Sequence, residues 1–275
     1  MKKLIIACII GLCSYTTAFA VVYLNIDGEV VDQNYANANV SAEMYVPDKA
    51  NGVSVMIYPG GAYAWKSMDY EGRHFAEFFN PIGVTVFVIN YALPYGNSTA
   101  PLDCCEGFMR TIKSKASEWN LDPNRIGVMG SSAGGHLATT HATHFSDDTR
   151  PAFQILLYPV VSMKTALTHA ESRTNLLGAT PSDQSIYEYS NELQVKDNTP
   201  IAYIALSDDD TVVPPDNSIL YYKSCIDHGV SAEIHTFPSG GHGWGYGQFA
   251  YRDVFLNTLR QWMITKVIKA EQKND

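Results

Sequence analysis

Short apolar runs rich in β-branched and aromatic residues recur along the chain with helix-like segments between them, and this alternation restricts the fold more than any other feature. Nearly continuous apolar strands are buried on both faces, which is typical of a parallel sheet covered by helices. We therefore predict one α/β domain over residues 21–275. The predicted strands are Val53–Tyr58, Val84–Tyr91, Arg125–Met129, Phe153–Val160, Ile201–Leu206 and Ala232–Phe237, and the predicted helices are Gly72–Phe79, Pro101–Trp119, Ala133–His144, Asn217–Asp227 and Phe249–Ile268.

Two further stretches lack this alternation of apolar strands and helices. Residues Val21–Val46 alternate loosely around an Asp27-Gly28 turn signal, which favours an antiparallel hairpin at the edge of the sheet. The polar stretch Ser162–Pro200 is too long for a structureless loop in a compact domain, so we expect short helices there.

The first twenty residues have the pattern of a secretory signal peptide. Lys2 and Lys3 precede the apolar run Leu4–Leu12, and Ala18-Phe19-Ala20 is a typical cleavage signature. We predict cleavage after Ala20 and export, to the periplasm or out of the cell. No later stretch has the ~20 apolar residues of a membrane span, and a lipid anchor would need a small residue before a cysteine at the end of the run, where Cys13 follows Leu12.

The net charge disfavours two classes of binding partner. The net charge is −9 and becomes more negative once the signal is removed, which disfavours nucleic acid and anionic membranes as partners.

The cysteines after residue 20 are Cys104, Cys105 and Cys225, and adjacent cysteines rarely pair with each other. We interpret all of them as buried free thiols.

A nucleophile motif follows one of the predicted strands. Gly130-Ser131-Ser132-Ala133-Gly134 is a G-x-S-x-G sequence between the strand Arg125–Met129 and a helical segment. Small residues let the chain turn sharply enough to lift a serine hydroxyl above the sheet. The sequence therefore predicts Ser132 as a nucleophile.

A serine nucleophile needs a base and an acid, which in this arrangement follow it in the order Asp, His. His242 lies among glycines after a late strand, and three aspartates, Asp208 to Asp210, follow an earlier one. One of these three aspartates is the predicted acid. His136, His141 and His144 lack a metal-binding pattern, so we expect neither a metal nor an organic cofactor.

The oxyanion of a tetrahedral intermediate needs N–H donors. Gly60 and Gly61 follow the strand Val53–Tyr58, and Ala133 follows the nucleophile, so these residues are the predicted donors. Residues 162–200 are then expected over the active-site face, as a lid or a substrate-facing insertion.

Together these motifs resemble the α/β-hydrolase superfamily, and within it bacterial acetyl esterases and acetylxylan esterases with feruloyl esterase relatives. The resemblance extends from Tyr58-Pro59-Gly60-Gly61 through Asp69-Tyr70-Glu71-Gly72 and Pro101–Gly135 to Asp210–Ser218 and Pro238–Gly245. The resemblance favours Asp210 as the acid, with Asp208 as the alternative, because hydrolases of this type often carry the acid in an Asp-x-x-Val-Pro segment and Asp210–Pro214 is similar with one extra residue. In that family the oxyanion loop is often His-Gly-Gly-Gly. Here Pro59 replaces the histidine and Ala62 replaces the last glycine.

The resemblance implies an α/β-hydrolase fold, with a mostly parallel central sheet flanked by helices, and removal of O-acetyl groups from xylan-type hemicellulose. Alternatives are a broad short-chain carboxylesterase, a feruloyl esterase, or a noncatalytic carbohydrate-binding protein on the same fold. The sequence leaves open the acyl group, the sugar position, movement of residues 162–200 and the oligomeric state. Aromatic residues beside the loops predict a wall for sugar stacking, formed by Tyr63, Trp65, Trp244 and Tyr246.

Overall fold

A nine-stranded sheet organises the computed structural model of the chain, which describes residues 21–269. The strand order is β2-β1-β3-β5-β4-β6-β7-β8-β9. The predicted signal peptide therefore lies outside the described residues. The strands are β1 Val21–Leu24, β2 Val30–Val31, β3 Ser41–Tyr45, β4 Ser54–Tyr58, β5 Thr85–Asn90, β6 Ile126–Ser131, β7 Phe153–Leu157, β8 Ile201–Ser207 and β9 Ala232–Phe237.

The sheet is antiparallel at one edge and parallel elsewhere. β1 pairs antiparallel with β2 and β3, and β3 pairs antiparallel with β5. Every further pairing, from β5 through β4 to β9, is parallel. The predicted parallel sheet with an N-terminal antiparallel edge is confirmed.

Helices cover both faces of the sheet and divide the core into two apolar layers. One layer packs α3, α4 and α7 against the sheet, and the other packs α2 and α8 against the opposite face. The helices are α1 Gln33–Ala38, α2 Ala76–Phe79, α3 Ala100–Ser114, α4 Ser132–His144, α5 Ala170–Leu177, α6 Asp183–Glu188, α7 Asp216–Asp227 and α8 Arg252–Trp262.

Several predicted boundaries shift by a few residues. The segment expected to be helical from Gly72 begins with a 3₁₀ turn at Arg73–Phe75, α3 ends before Trp119, and α8 continues as a π-helix over Met263–Ile268. The stretch 162–200 contains α5, α6 and a 3₁₀ turn at Asn191–Leu193, in agreement with the prediction of short helices.

Two further features of the described chain bear on function. Cys104, Cys105 and Cys225 are buried free thiols, as the sequence indicated. Within residues 21–269, no helix combines the length and apolar character that crossing a membrane requires.

Candidate active site

The turn between β6 and α4 holds Ser132 in a strained backbone conformation. Its φ is +54°, a value that costs a non-glycine residue about 1 kcal/mol or more. The turn depends on its glycines, since a Cβ on Gly130 would lie 2.0 Å from the Gly134 carbonyl oxygen, and one on Gly134 would lie 1.9 Å from the Tyr58 carbonyl oxygen. These contacts give a steric reason for the glycines in the G-x-S-x-G motif.

A continuous line of hydrogen bonds joins Ser132, His242 and Asp210. Nε2 of His242 lies 2.8 Å from Oγ of Ser132, and Nδ1 lies 2.7 Å from Oδ2 of Asp210. The Asp210 side chain is 1% exposed and that of His242 is 14% exposed. With Nδ1–H donating to the carboxylate, Nε2 is free to accept the serine proton, which is the arrangement required of a general base.

The three consecutive aspartates have different partners. Oδ1 of Asp210 accepts hydrogen bonds of 2.9 Å from the backbone N–H groups of Val212 and Val213, which leaves Oδ2 for the imidazole. Asp209 accepts from the Gly241 N–H at 2.7 Å, and Asp208 is exposed. The geometry therefore favours Asp210 as the acid over the alternative Asp208.

The predicted oxyanion donors do not behave alike. Gly61 lines the cavity above Ser132, and Ala133 lies in the first turn of α4, where backbone N–H groups have no helical acceptor. The Gly60 N–H instead donates to Oε2 of Glu71 at 2.9 Å. This contact corrects the expectation that Gly60 is a donor to the substrate, because its hydrogen is directed at a carboxylate.

An open cavity of about 290 Å³ lies over the serine. Residues 162–200 supply His169 and Glu171 to its wall, and Nδ2 of Asn175 donates to the Ala62 carbonyl at 2.8 Å. This segment thus borders the cavity and is tied to the loop after Gly61. The lining residues are Gly61, Ala62, Trp65, Ser67, Glu71, Ser132, His169, Glu171, Val212, His242 and Gly243.

Of the four aromatic residues predicted to stack on sugars, Trp65 lines the cavity, and its residue surface is 60% exposed. Tyr63 is buried and its hydroxyl is bonded to Nδ1 of His136. Trp244 is buried, with its indole N–H donating to Ser207, and half-buried Tyr246 packs against Arg252. The expected roles of Tyr63 and Trp244 are therefore corrected to packing, since both side chains are buried. Tyr246 is not among the residues that line the cavity, and its ring packs against Phe75 and Arg252.

Two histidines of α4 are structural. His136 bonds the Tyr63 hydroxyl and the Tyr189 carbonyl, and His141 bonds the Tyr58 hydroxyl and the Thr149 carbonyl. Burial lowers the pKa of each imidazole to about 4. Over residues 21–269, no set of three or more histidine, cysteine, aspartate or glutamate side chains is arranged to hold a metal ion.

Sequence reasoning missed Glu71 and Tyr158, which lie beside the Ser132–His242 pair. Glu71 lines the cavity, and the Tyr158 ring packs edge-on against the His242 imidazole, with centroids 4.8 Å apart. The stretch containing Glu71 was part of the family resemblance, but no local pattern indicates that a carboxylate eleven residues after Gly60 returns to it.

Comparisons with known proteins find a matching family model and similar sequences. A family model described as an alpha/beta hydrolase fold matches residues 55–245. An acetylxylan esterase from Xylanibacter ruminicola is 37% identical over 80% of this chain and 47% of its own length. Endo-1,4-beta-xylanase B from Butyrivibrio fibrisolvens is 35% identical over 69% of this chain and 32% of its own. The chain thus spans about half or less of the length of these curated relatives.

A solved structure matches over nearly the whole of both chains. The acetyl ester-xyloside bifunctional hydrolase from Caldicellulosiruptor lactoaceticus superposes with a TM-score of 0.78 at 30% identity, over 90% of this chain and 96% of that one. This match shows that the fold described above is shared with a solved hydrolase over nearly the whole of both chains.

Proposed function

Because the chain belongs to the α/β-hydrolase family, we propose that it is a serine esterase that removes O-acetyl groups from xylan-type hemicellulose or its oligosaccharides. The observation that carries the proposal is the series of hydrogen bonds from Ser132 through His242 to Asp210. Ser132 and His242 line an open cavity in which a substrate can reach them.

The proposed chemistry is a two-step acyl transfer. His242 takes the proton of Ser132 as the hydroxyl attacks the acetyl carbonyl, and Asp210 stabilises the imidazolium. The N–H groups of Gly61 and Ala133 stabilise the oxyanion. His242 then protonates the departing sugar alkoxide, and a water molecule activated by the same base releases acetate from Ser132. These steps call on no metal or organic cofactor.

Two observations support a carbohydrate ester as the substrate. The relatives reported above are named for acetylxylan, xylan and xyloside chemistry. In addition, Trp65 lies between the catalytic cavity and a second cavity of about 300 Å³, since it lines both. An exposed indole beside a polar groove is a suitable surface for stacking a sugar ring.

The second cavity offers polar groups on the far side of Trp65. Its lining includes Asn37, Lys66, Arg73 and Asn90, and the carboxylate of Glu43 is paired with Arg73 at 2.6 Å. A bound oligosaccharide that presents an acetyl group to Ser132 would extend over Trp65 toward these residues.

The decisive test is acetate release from acetylated xylooligosaccharides by residues 21–275, with 4-nitrophenyl acetate as a reference ester and Ser132→Ala as the control. We expect release that depends on Ser132 from both substrates. Activity on the small ester alone, or preferential turnover of methyl ferulate, would replace the acetylxylan proposal with a broad carboxylesterase or a feruloyl esterase.

A fluorophosphonate probe separates an enzyme from a noncatalytic binding protein. We expect the probe to label the wild-type chain at Ser132 and not to label Ser132→Ala. A folded wild-type chain that binds xylooligosaccharides but resists the probe would contradict the esterase proposal.

Export is part of the proposal. The pattern of residues 1–20 supports cleavage after Ala20, which would place the enzyme in the periplasm or outside the cell. N-terminal sequencing of the protein recovered from the producing cells tests this, with Val21 expected as the first residue.

A further inference from the structure

Glu71 is a buried carboxylate at the junction of the two loops that form the site. It lies after the loop that contains Gly60 and Gly61, and its residue surface is 5% exposed. A buried carboxylate is costly unless donors compensate for the water it loses. Its partners therefore indicate what it holds in place.

The partners of Glu71 belong to different parts of the site. Oε2 accepts the Gly60 N–H at 2.9 Å, and Oε1 accepts the Tyr158 hydroxyl at 2.8 Å. The Tyr158 oxygen in turn accepts the Gly245 N–H at 2.7 Å, so its own hydrogen is available for Glu71. Each carboxylate oxygen thus receives a donor, which is the pattern expected of the ionised form.

The Tyr158 end of this network reaches the base. The tyrosine ring packs edge-on against the imidazole of His242, and Gly245 lies three positions after that histidine in the same loop. A second bond ties the loop to the Glu71 segment, because the Tyr246 N–H donates to the Tyr70 carbonyl at 2.8 Å. The loop carrying His242 is thereby attached to the segment that holds Gly60.

We propose that Glu71 is a positioning residue, which uses its ionised carboxylate to hold the Gly60–Gly61 peptide on one side and, through Tyr158, the His242 loop on the other. The inference rests on the proposed acyl-transfer function. Its consequence is that the oxyanion donor of Gly61 and the base keep one relative geometry, which matters because misplacing a catalytic group by about 1 Å can cost on the order of 100-fold in rate.

The charge of Glu71 also acts on the imidazole. The pKa of the Glu71 carboxyl is raised above its ordinary value, because the effect of burial exceeds those of the Tyr158 and Gly60 donors and of the positive charge on His242, which lower it. The same attraction stabilises the imidazolium that forms during catalysis. Asp210 is bonded to His242, and the Tyr158 ring packs against it. Two further ionisable groups line the same cavity, His169, whose pKa is lowered by burial and by His242, and Glu171.

The test compares Glu71→Gln with Tyr158→Phe, the double variant, and Glu106→Gln as a matched control. Glu106 is also a buried carboxylate, but it accepts from Ser146 and Thr149 beside α3 and is absent from the cavity lining. For each variant, kcat and KM for 4-nitrophenyl acetate are measured across pH, together with the melting temperature.

For Glu71→Gln we expect kcat to fall about 10- to 100-fold with KM changed less than about threefold, because alignment in the transition state is lost. The acidic limb of kcat/KM should move to lower pH, since a negative charge that attracts the imidazolium has been removed. Tyr158→Phe should also lower kcat, and the double variant should be little worse than Glu71→Gln alone because both changes break one linkage. Glu106→Gln should lower the melting temperature and leave kcat and the pH profile unchanged.

Wild-type kcat and an unmoved acidic limb in Glu71→Gln would overturn the inference, as would fully additive losses in the double variant. If Glu71→Gln does not fold, Tyr158→Phe decides, because it removes a single hydroxyl: wild-type kcat in that variant overturns the proposal. An inactive but folded wild-type chain would instead defeat the proposed function, so the two failures are distinguishable.

Discussion

Nε2 of His242 lies 2.8 Å from Oγ of Ser132, although 110 positions separate the two residues in the chain. Ser132 follows β6 and His242 lies in the loop after β9, and both strands belong to the parallel part of the same sheet. The carboxyl ends of parallel strands lie at one edge of such a sheet, so residues that are distant in sequence meet there.

The acid of the site is tested by Asp210→Asn. We expect kcat to fall by about four orders of magnitude, because an amide in place of the carboxylate no longer holds the imidazole in the required tautomer. Asp208→Asn, on an exposed neighbour, is the matched control and should retain kcat within about twofold. Steady-state kinetics with 4-nitrophenyl acetate measure both, and a larger loss in Asp208→Asn would reverse the assignment.

The turn at the nucleophile is tested by Gly134→Ala. A Cβ there would lie 1.9 Å from the Tyr58 carbonyl oxygen, which is backbone and cannot move aside, so we expect the free energy of unfolding to fall by about 3 kcal/mol or more. Urea denaturation measures the loss.

Gly107→Ala in α3 is the control for that change. Its Cβ would meet the flexible end of Ile26 at 3.0 Å, and alanine is favoured in helices by about 1 kcal/mol, so stability should stay within that amount of the wild type. Equal stability of the two variants would contradict the steric explanation for Gly134.

The role of Trp65 is tested by Trp65→Ala. We expect kcat/KM for acetylated xylooligosaccharides to fall about tenfold, which corresponds to ~1.4 kcal/mol of binding, while turnover of 4-nitrophenyl acetate changes little. Tyr187→Ala removes another exposed aromatic residue, one outside the cavity lining, and should affect neither substrate. Equal losses on both substrates in Trp65→Ala would indicate damage to the site rather than lost contact with the sugar.

Acid should destabilise the fold through the buried imidazoles. Burial lowers the pKa of His141 to about 4, below the unfolded value of about 6.5, so the unfolded chain binds protons more readily in that range. This contribution to the free energy of unfolding is fully present above pH ~6.5 and is lost as the pH falls toward 4. For this histidine it amounts to at most about 3 kcal/mol.

Urea denaturation at pH 7 and pH 4.5 measures this dependence. His141→Gln should show a smaller difference in the free energy of unfolding between the two pH values than the wild type does. The same substitution at exposed His228 is the control and should preserve the wild-type difference. An undiminished difference in His141→Gln would show that acid acts elsewhere.

The positions of the strands along the chain and the nucleophile turn were predictable because they depend mainly on local patterns. Apolar runs indicate buried strands, and the need for Gly130 arises within the turn itself, from the Gly134 carbonyl. The need for Gly134 also comes from outside the turn, because a Cβ there would meet the Tyr58 carbonyl of β4. The choice among the three aspartates could not be made from local patterns. It depends on the hydrogen bonds of Asp210, whose Oδ1 accepts from the Val212 and Val213 N–H groups and whose Oδ2 remains for His242.

The aromatic residues show where local patterns fail. Trp65 and Tyr63 lie two positions apart in the chain, yet one is exposed over the cavity and the other is buried against His136. The residues that surround this loop come from α4 and from the segment after residue 162. Both are distant in sequence, so the residues next to Tyr63 do not indicate that its ring is buried.

By itself, the sequence determined the parallel sheet, its antiparallel edge and the residue types of the site, because hydrophobic period and turn sterics act over a few neighbouring residues. Only the tertiary structure decided the direction of individual polar groups: which aspartate meets His242, and that the Gly60 N–H turns to Glu71 rather than to the substrate. Those directions depend on atoms brought together from distant segments, and hydrogen bonds form or fail over fractions of an ångström.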